Sequence, residues 1–542
     1  MIRTARVESV SSHRRPLHLP DPHIPAGFLV AVLSTLVTCE PVRADELTCN
    51  SEITAAGQQT TDATPNILLI TSEDNGPELS CYGDPFVQTP HLDRLAAEGV
   101  RFERAFVTTA SCSESRSSIL TGLYPHQNGQ IGLATHRYRM YGRVPNLASF
   151  LKGRGYRTGL IGKLHVNPEG AFPFDFRPRV AECNTFQRRD VNRVAEMADD
   201  FFSSSDAPFF LMVNYADAHL PFLRSQHGLP ESPITAKEVH ALPWIGLDTP
   251  GLRQSQADYY NCVARLDTGI GMLLDALDRA GLARKTLVIY LGDHGAQFPR
   301  GKLASYECSL RVPLLMRWPG HVPAAKVHRE LVSTVDLVPT ILEAAGTNSG
   351  SHLPGRSLLA LVQGGQLQWR EYLCCEYHGH YPPLYFPQRT VRDDRYKLIL
   401  NLLQDRSNPV AAVCTASAQP SYVSAADVAA ASQSVREAYR TWSDAPPIEL
   451  YDLATDPHEM RNRADDPQLS SVKTRLIDQL RLWQDRTADP LADPEKLAKL
   501  TAEHDAIPKP YRRRKDFTWK YQDYLSPNKS VEKTPSPSNQ PR

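Results

Sequence analysis

Four places in this sequence put ionisable side chains directly after an apolar run. Glu73 and Asp74 follow "NILLIT", Lys163 and His165 follow "RTGLIG", Asp217 and His219 follow "FFLMVNY", and Asp293 and His294 follow "TLVIYLG". Adjacent carboxylates offer the oxygen ligands that hold a hard divalent cation, Ca²⁺ or Mg²⁺. Taken alone, either acidic pair reads more readily as a helix cap or a solvated turn, and each histidine or lysine as a surface residue. Gathered into one pocket with Lys302, they would surround a tetrahedral anion with positive charge and proton-transfer groups, and would stabilise charge developing in a transition state. A fifth stretch, "SCSESR" at residues 111–116, sets Cys112 among hydroxyls with Arg116 one turn away. It stands at the entry to a short helix, whose N-terminus favours an anion.

The elements that must position these groups are legible as well. The four apolar runs read as strands separated by helical segments, the clearest carrying Val263, Leu266, Ile270, Leu273 and Leu277 at helical spacing. Alternating strands and helices predict an α/β fold with a mostly parallel central sheet flanked by helices. In such a sheet ligands bind at the carboxyl ends of the strands, so the four polar clusters are expected to share one crevice. From residue 369 the pattern changes. "RTVRDDRYKLILNL" reads as a hairpin, "IELYDLATDPHEMRN" as a strand and turn, and residues 470–486 as an amphipathic helix. These predict a smaller α+β subdomain.

The 542 residues, 41% of them hydrophobic, suffice for more than one unit around a large core. Sixty basic residues balance sixty acidic ones, which argues against a nucleic-acid partner held by a global basic field. Arg3, Arg6, Arg14 and Arg15 precede an apolar run at 26–37 and the small-residue pattern Val42-Arg43-Ala44. Residues 1–44 therefore read as an export signal. Lipid attachment at Cys39 is the weaker reading, because Thr38 is large for the position before a lipidated cysteine. No segment offers about 18 uninterrupted apolar residues, so no transmembrane span is expected. The boundaries become signal 1–44, linker 45–64, catalytic unit 65–368, subdomain 369–505 and a disordered basic Pro/Ser-rich tail 506–542, in a protein exported to a periplasmic, secreted or lysosome-like compartment. Without Cys39, nine of ten cysteines remain, so at least one is unpaired. Export favours some disulfides, and the absence of C-x-x-C spacing speaks against structural zinc.

On these residues the chain resembles the sulfatase family, whose signature is C-x-P-S-R-x3-LTG. Cys112, Ser115, Arg116 and Leu120-Thr121-Gly122 match it, while Glu114 stands where proline is usual. "TPHLDRLAAEGVRFERAF", "GKLH", "DAHLPF", "GDHG" and "ELYDLATDPHEMRN" extend the likeness, in the family's order, from residue 66 to about 490. The resemblance implies an alkaline phosphatase-like fold and oxidation of Cys112 to formylglycine by a sulfatase-maturing enzyme that reads the motif on the extended chain. It further implies one Ca²⁺ per chain held by Glu73, Asp74, Asp293, His294 and the modified Cys112, with Glu73 longer than the aspartate common at its position. Arg116 would orient the formylglycine hydrate and Lys163 and Lys302 would hold sulfate oxygens. His219 would protonate the leaving group, and His165 would help release sulfate. An aldehyde hydrate carries two hydroxyls on one carbon, so one can attack sulfur and deprotonation of the other can expel sulfate, whereas a serine would keep a stable ester.

The stretches "LTGLYPHQNGQIGL", "IGKLHV", "PFDF" and "YFPQRTVRDDRYKLILNL" most resemble the branch of the family acting on N-sulfated glucosamine. The implied substrate is a sulfated saccharide, N-sulfoglucosamine first. An O-sulfatase on another polysaccharide, a phosphonate or phosphodiester hydrolase, and a sulfated-glycan binding protein with unmatured Cys112 stay open. So do exo or endo action and the oligomeric state, a homodimer included.

Overall fold

The computed structural model describes residues 64–347, 352–365, 368–416, 419–511 and 517–527. The expected signal and the linker up to residue 63 lie outside them. All four apolar runs form strands: Asn66–Ser72, Arg157–Ile161, Phe209–Tyr215 and Thr286–Gly292. They are neighbours in a seven-stranded sheet and run parallel to one another, in the spatial order 157–161, 209–215, 66–72, 286–292. Beyond them Leu314–Arg317 and Val100–Phe102 pair antiparallel, which makes the sheet mixed.

Strands buried on both faces read as continuous apolar runs, because alternate side chains enter different cores. Leu68, Ile70, Leu211, Val213, Val288 and Tyr290 pack into one core with Val263, Leu266, Ile270, Leu273 and Leu277 of the helix Pro250–Arg279. Thr249 caps that helix by accepting from the Leu252 amide, with Pro250 at its first position. Ile67, Leu69, Phe210, Met212, Leu287 and Ile289 enter a second core with Ile119 and Leu120 of the helix Cys112–Thr121. Register aligns the carboxyl ends, for Ser72 pairs with both Tyr215 and Gly292, and Ile161 with Val213.

The second sheet is antiparallel throughout, in the order Leu373–Tyr377, Gln388–Arg392, Tyr396–Asn401, Ile448–Asp452. The expected hairpin is closed by Asp393, whose Oδ1 accepts from the Arg395 and Tyr396 amides at 2.8 and 2.6 Å. The helix Ser470–Thr487 lays Leu476 and Leu480 against Val391, Leu398 and Leu450.

Two expectations are corrected. Part of the stretch assigned to a disordered tail is packed: Trp519, Tyr521 and Leu525 are buried with Ile131, Tyr138 and Leu500. The aromatic residues outweigh the basic composition there, and 512–516 and 528–542 of the basic end lie outside the described residues. Export favoured disulfides, yet Cys81, Cys112, Cys183, Cys262, Cys308, Cys374, Cys375 and Cys414 are all free. Continuous cores of this size need no covalent staple.

A buried ion network joins the second sheet to the segment after the signature helix. His126 Nδ1 lies 2.6 Å from Glu376 Oε2, and Arg389 donates from Nε and Nη2 to Asp489, both at 2.8 Å. Burial opposes the charge on His126, but Glu376 outweighs it and holds the imidazole above its ordinary 6.5. Burial likewise opposes the Glu376 carboxylate, yet His126 and Arg389 hold it down to about 2. The His126 contribution to stability is therefore full below pH 6.5 and is lost as pH rises through the higher folded value. That of Glu376 is full above 4.5 and is lost only as pH falls through about 2. His126→Ala, which removes the nearer cation from the buried Glu376 carboxylate and leaves Arg389 at 3.7 Å, should cost about 3 kcal/mol. Denaturant melts at pH 6 and pH 9 should show a smaller mutant penalty at pH 9, and an equal penalty would refute the pairing.

Candidate active site

Each candidate side chain except Lys302, which lies farther along the loop after Gly292, sits one to four residues beyond a strand end or on the helix Cys112–Thr121 that points at those ends. Arg116, on that helix and fully buried, touches the ends of all four parallel strands. Its Nε lies 3.1 Å from Asp293 Oδ2, its Nη1 2.6 Å from Asn214 Oδ1 and 3.3 Å from the Lys163 carbonyl, and its Nη2 3.3 Å from Glu73 Oε1. Ser115, one residue earlier, donates to the Asp293 carbonyl at 2.5 Å. The backbone completes the junction. The Glu73 amide donates to the Tyr215 and Asp217 carbonyls at 3.1 Å each, the Asp293 amide to Ser72 at 2.9 Å, and the Asp74 amide to Asp293 Oδ1 at 2.9 Å.

Local conformation aims the groups inward. Asp74 and His165 adopt left-handed backbone at φ 50° and 57°, a conformation uncommon for non-glycine residues. Gly162 at φ 93° is needed both for its angle and because a Cβ there would strike the Asn214 carbonyl. It turns the chain so that Lys163 faces the crevice.

The site is crowded with opposed charge. Lys302 Nζ lies 2.9 Å from both oxygens of Asp74, and Lys163 Nζ 2.6 Å from Glu73 Oε1. Cys112 Sγ lies 3.3 Å from His294 Nε2, which is also 3.4 Å from Asp74 Oδ1 and 3.7 Å from Asp293 Oδ1. Burial pushes the Cys112 thiol up, but Lys302, Lys163 and His294 together outweigh it and leave it below the ordinary thiol value. Burial lowers His294, and the negative groups Asp293, Cys112 and Asp74 raise it to about 9. His219 Nε2 stands 3.8 Å from Asp74 Oδ2, and burial pulls its ring down to about 4 despite that carboxylate. It is therefore neutral at pH 7. His165 sits near the rim, its Nε2 3.5 Å from Thr135 Oγ1, and burial followed by Lys163 holds it well below the usual imidazole range.

Two clusters have metal-ligating atoms within 4.8 Å of one another, Asp74–Cys112–His219 and Cys112–Asp293–His294. Glu73 Oε2 is buried with no hydrogen-bond partner. An orphaned carboxylate oxygen beside two further carboxylates suits a hard cation, among whose oxygen donors His294 would be a nitrogen. The structure thus brings together Glu73, Asp74, Cys112, Arg116, Lys163, His219, Asp293, His294 and Lys302, and puts His165 at their edge. In this arrangement Arg116 directs its donors to carboxylates and carbonyls rather than to Cys112.

Sequence reasoning missed Asn214, which fixes Arg116, and Gln297, whose Oε1 lies 3.5 Å from Lys302 Nζ. A polar residue inside the apolar run "FFLMVNY" was the available signal for Asn214. Glu114, at the usual proline position, is buried and receives a hydrogen bond from Ser111 at 2.7 Å, and burial keeps its carboxyl well above the usual range.

Residues 65–347 match the sulfatase family profile, and residues 292–408 match the profile of the N-sulphoglucosamine sulphohydrolase C-terminal region. Human N-sulphoglucosamine sulphohydrolase is 33% identical over 459 residues, which cover 78% of this chain and 91% of that protein. An ulvan-active sulfatase of Formosa agariphila is 27% identical over 79% of this chain and 82% of its own. Among solved structures, a complex with D-glucosamine-2-N,6-O-disulfate superposes with a TM-score of 0.60 at 19% identity, covering 79% of this chain and 99% of its own. The phosphonate monoester hydrolase of Agrobacterium radiobacter gives 0.57 at 21%, covering 78% and 96%. At those identities the two structures share the fold.

Proposed function

The chain belongs to the sulfatase family, and from that premise we propose that it cleaves the sulfamate bond of N-sulfoglucosamine in heparan-type saccharides. As a family member it is a sulfuric ester or sulfamate hydrolase that releases sulfate from a sulfated sugar. The observation that carries the narrower reading is the substrate in the human relative's name, joined to a crevice in which Cys112, three carboxylates and two lysines converge. We assign the chemistry to residues 65–368 and a buttressing role to 369–505. Export to an extracytoplasmic compartment, through residues 1–44, belongs to the same proposal.

Calcium is the fitting cation. Glu73, Asp74, Asp293 and His294, with the modified Cys112, would hold it, and it would supply charge to anchor and polarise the sulfuryl group. Three carboxylates facing Arg116, Lys163 and Lys302 leave the pocket's formal charge near zero, so a divalent cation would make it attractive to an anionic group. Formylglycine made from Cys112 by a maturing enzyme would supply the geminal hydroxyls for attack and release. Around it, Lys163 and Lys302 bind sulfate oxygens and Arg116 keeps the carboxylates ionised and in place. His219 takes up a proton as the anion enters and delivers it to the leaving nitrogen, and His165 assists departure of sulfate.

Mass spectrometry of the Cys112 peptide from the native host should show at least partial conversion to formylglycine. A fully active preparation holding only the thiol would overturn the mechanism. Cys112→Ala should abolish turnover without unfolding.

Chelation should remove activity and leave the fold. Asp74→Ala and Asp293→Ala should each lower calcium affinity more than Glu73→Gln, which keeps an oxygen donor. Calorimetric titration showing full affinity in all three would exclude this ligand set.

A positioned acid contributes roughly 10²–10⁴-fold when the leaving group needs a proton. His219→Ala should therefore depress turnover of N-sulfoglucosamine far more than that of a nitrophenyl sulfate, while Lys302→Ala depresses both. Equal losses for His219→Ala on both substrates would count against the acid role.

A further inference from the structure

Few large hydrophobic side chains among the described residues are markedly exposed, and one of them, Phe186, stands at the mouth of this site with 44% of its surface open. Its ring stacks on His219 with centroids 4.2 Å apart and an interplanar angle of 17°. Lys163 Nζ lies 5.3 Å from the same ring. An apolar ring held against solvent, between a proton-transfer group and a sulfate-binding lysine, loses free energy unless something covers it.

The stacking is built into the backbone. Arg189 is buried, and its Nη2 donates to the carbonyls of Phe186, His219 and Pro221 at 3.2, 2.6 and 3.0 Å. Its Nη1 pairs with Asp217 Oδ1 at 2.8 Å, and Arg265 binds the same carboxylate at 2.6 and 3.0 Å. One guanidinium thus fixes the two ring-bearing segments to each other and to the end of the Phe209–Tyr215 strand. Asn184, two residues before Phe186, accepts from the Ala216 amide at 2.7 Å and donates to the Asn214 carbonyl. The loop that carries Phe186 is therefore preorganised, which reduces the ordering cost of any ligand that lies on it.

We propose that Phe186 is a specificity-determining platform whose exposed edge meets the apolar C–H face of the substrate's pyranose ring, while Lys163 and Lys302 hold the sulfuryl group beside it. This rests on the assignment of a sulfated sugar as substrate. A flat ring beside the scissile group distinguishes a saccharide sulfate from inorganic sulfate or a small alkyl sulfate, which reach the lysines without touching it. A phenyl edge packs on a hexose without selecting its hydroxyl pattern, so the platform acts on the class of substrate, and polar groups around it set which sugar.

The test compares Phe186→Ala, Phe186→Trp and the wild type in the matured, calcium-loaded enzyme. Initial rates give kcat and KM on N-sulfoglucosamine, and competition experiments give inhibition constants for glucosamine and inorganic sulfate. Loss of contact with a half-exposed phenyl ring should raise KM and the glucosamine constant roughly ten-fold in Phe186→Ala. The inorganic sulfate constant should stay within two-fold, and Phe186→Trp should restore the KM. An unchanged KM, or a fall in kcat with the glucosamine constant unaltered, would overturn the proposal and leave Phe186 as packing for His219. If the wild type releases sulfate from nitrophenyl sulfate but from no sugar, the substrate assignment fails instead, and the glucosamine constants still report on the platform.

Discussion

One buried guanidinium holds this site together. Arg116 reaches from the signature helix to the ends of four parallel strands, and every group it touches is a buried carboxylate, carbonyl or amide oxygen. Four strands can present their ends together only if register brings them level, and the pairing of Ser72 with Tyr215 and Gly292 does so. Glu73 and Asp293 can remain ionised in a water-poor crevice only beside fixed positive charge. The sheet supplies the position, and the arginine supplies the condition under which acidic residues tolerate it.

The same logic recurs at the periphery. Arg189 does for the His219 loop what Arg116 does for the floor, pairing with Asp217 while gathering three carbonyls. Arg389 and His126 do it where the second sheet meets the first unit, through Asp489 and Glu376. Buried ion networks are costly to assemble and more costly to break, so they confer a single arrangement more than net stability. For a crevice that must hold several like charges in fixed positions, a single arrangement is the requirement.

Much of this was legible in the sequence because it rests on patterns of a few residues. Continuous apolar runs marked the strands, the polar residues after each run marked the crevice, and period 3.6 marked the long helix. The hairpin closed by Asp393 and the helix beneath the second sheet were equally local. What escaped were groups whose role depends on distant partners. Asn214 looks like a strand residue until Arg116 arrives from another element, and Phe186 looks like a loop residue until His219 is folded beneath it. The tail was misread for a related reason: composition averages over a segment, whereas burial of Trp519, Tyr521 and Leu525 depends on the hydrophobic surface they meet.

That tail also bears on timing. Tyr521 Oη accepts from the Arg139 amide at 2.9 Å and lies 3.0 Å from the Gly129 carbonyl, while Trp519 Nε1 donates to the His136 carbonyl at 3.0 Å. The stretch directly after the signature helix is thus sealed by residues nearly 400 positions downstream. Asp293, Glu376 and Asp489, which complete the surroundings of that helix and of His126, are also made late. A ribosome delivers the chain from its N-terminus at about 5–20 residues per second. Residues 111–116 consequently spend roughly tens of seconds outside the ribosome before their partners exist, an interval set by translation.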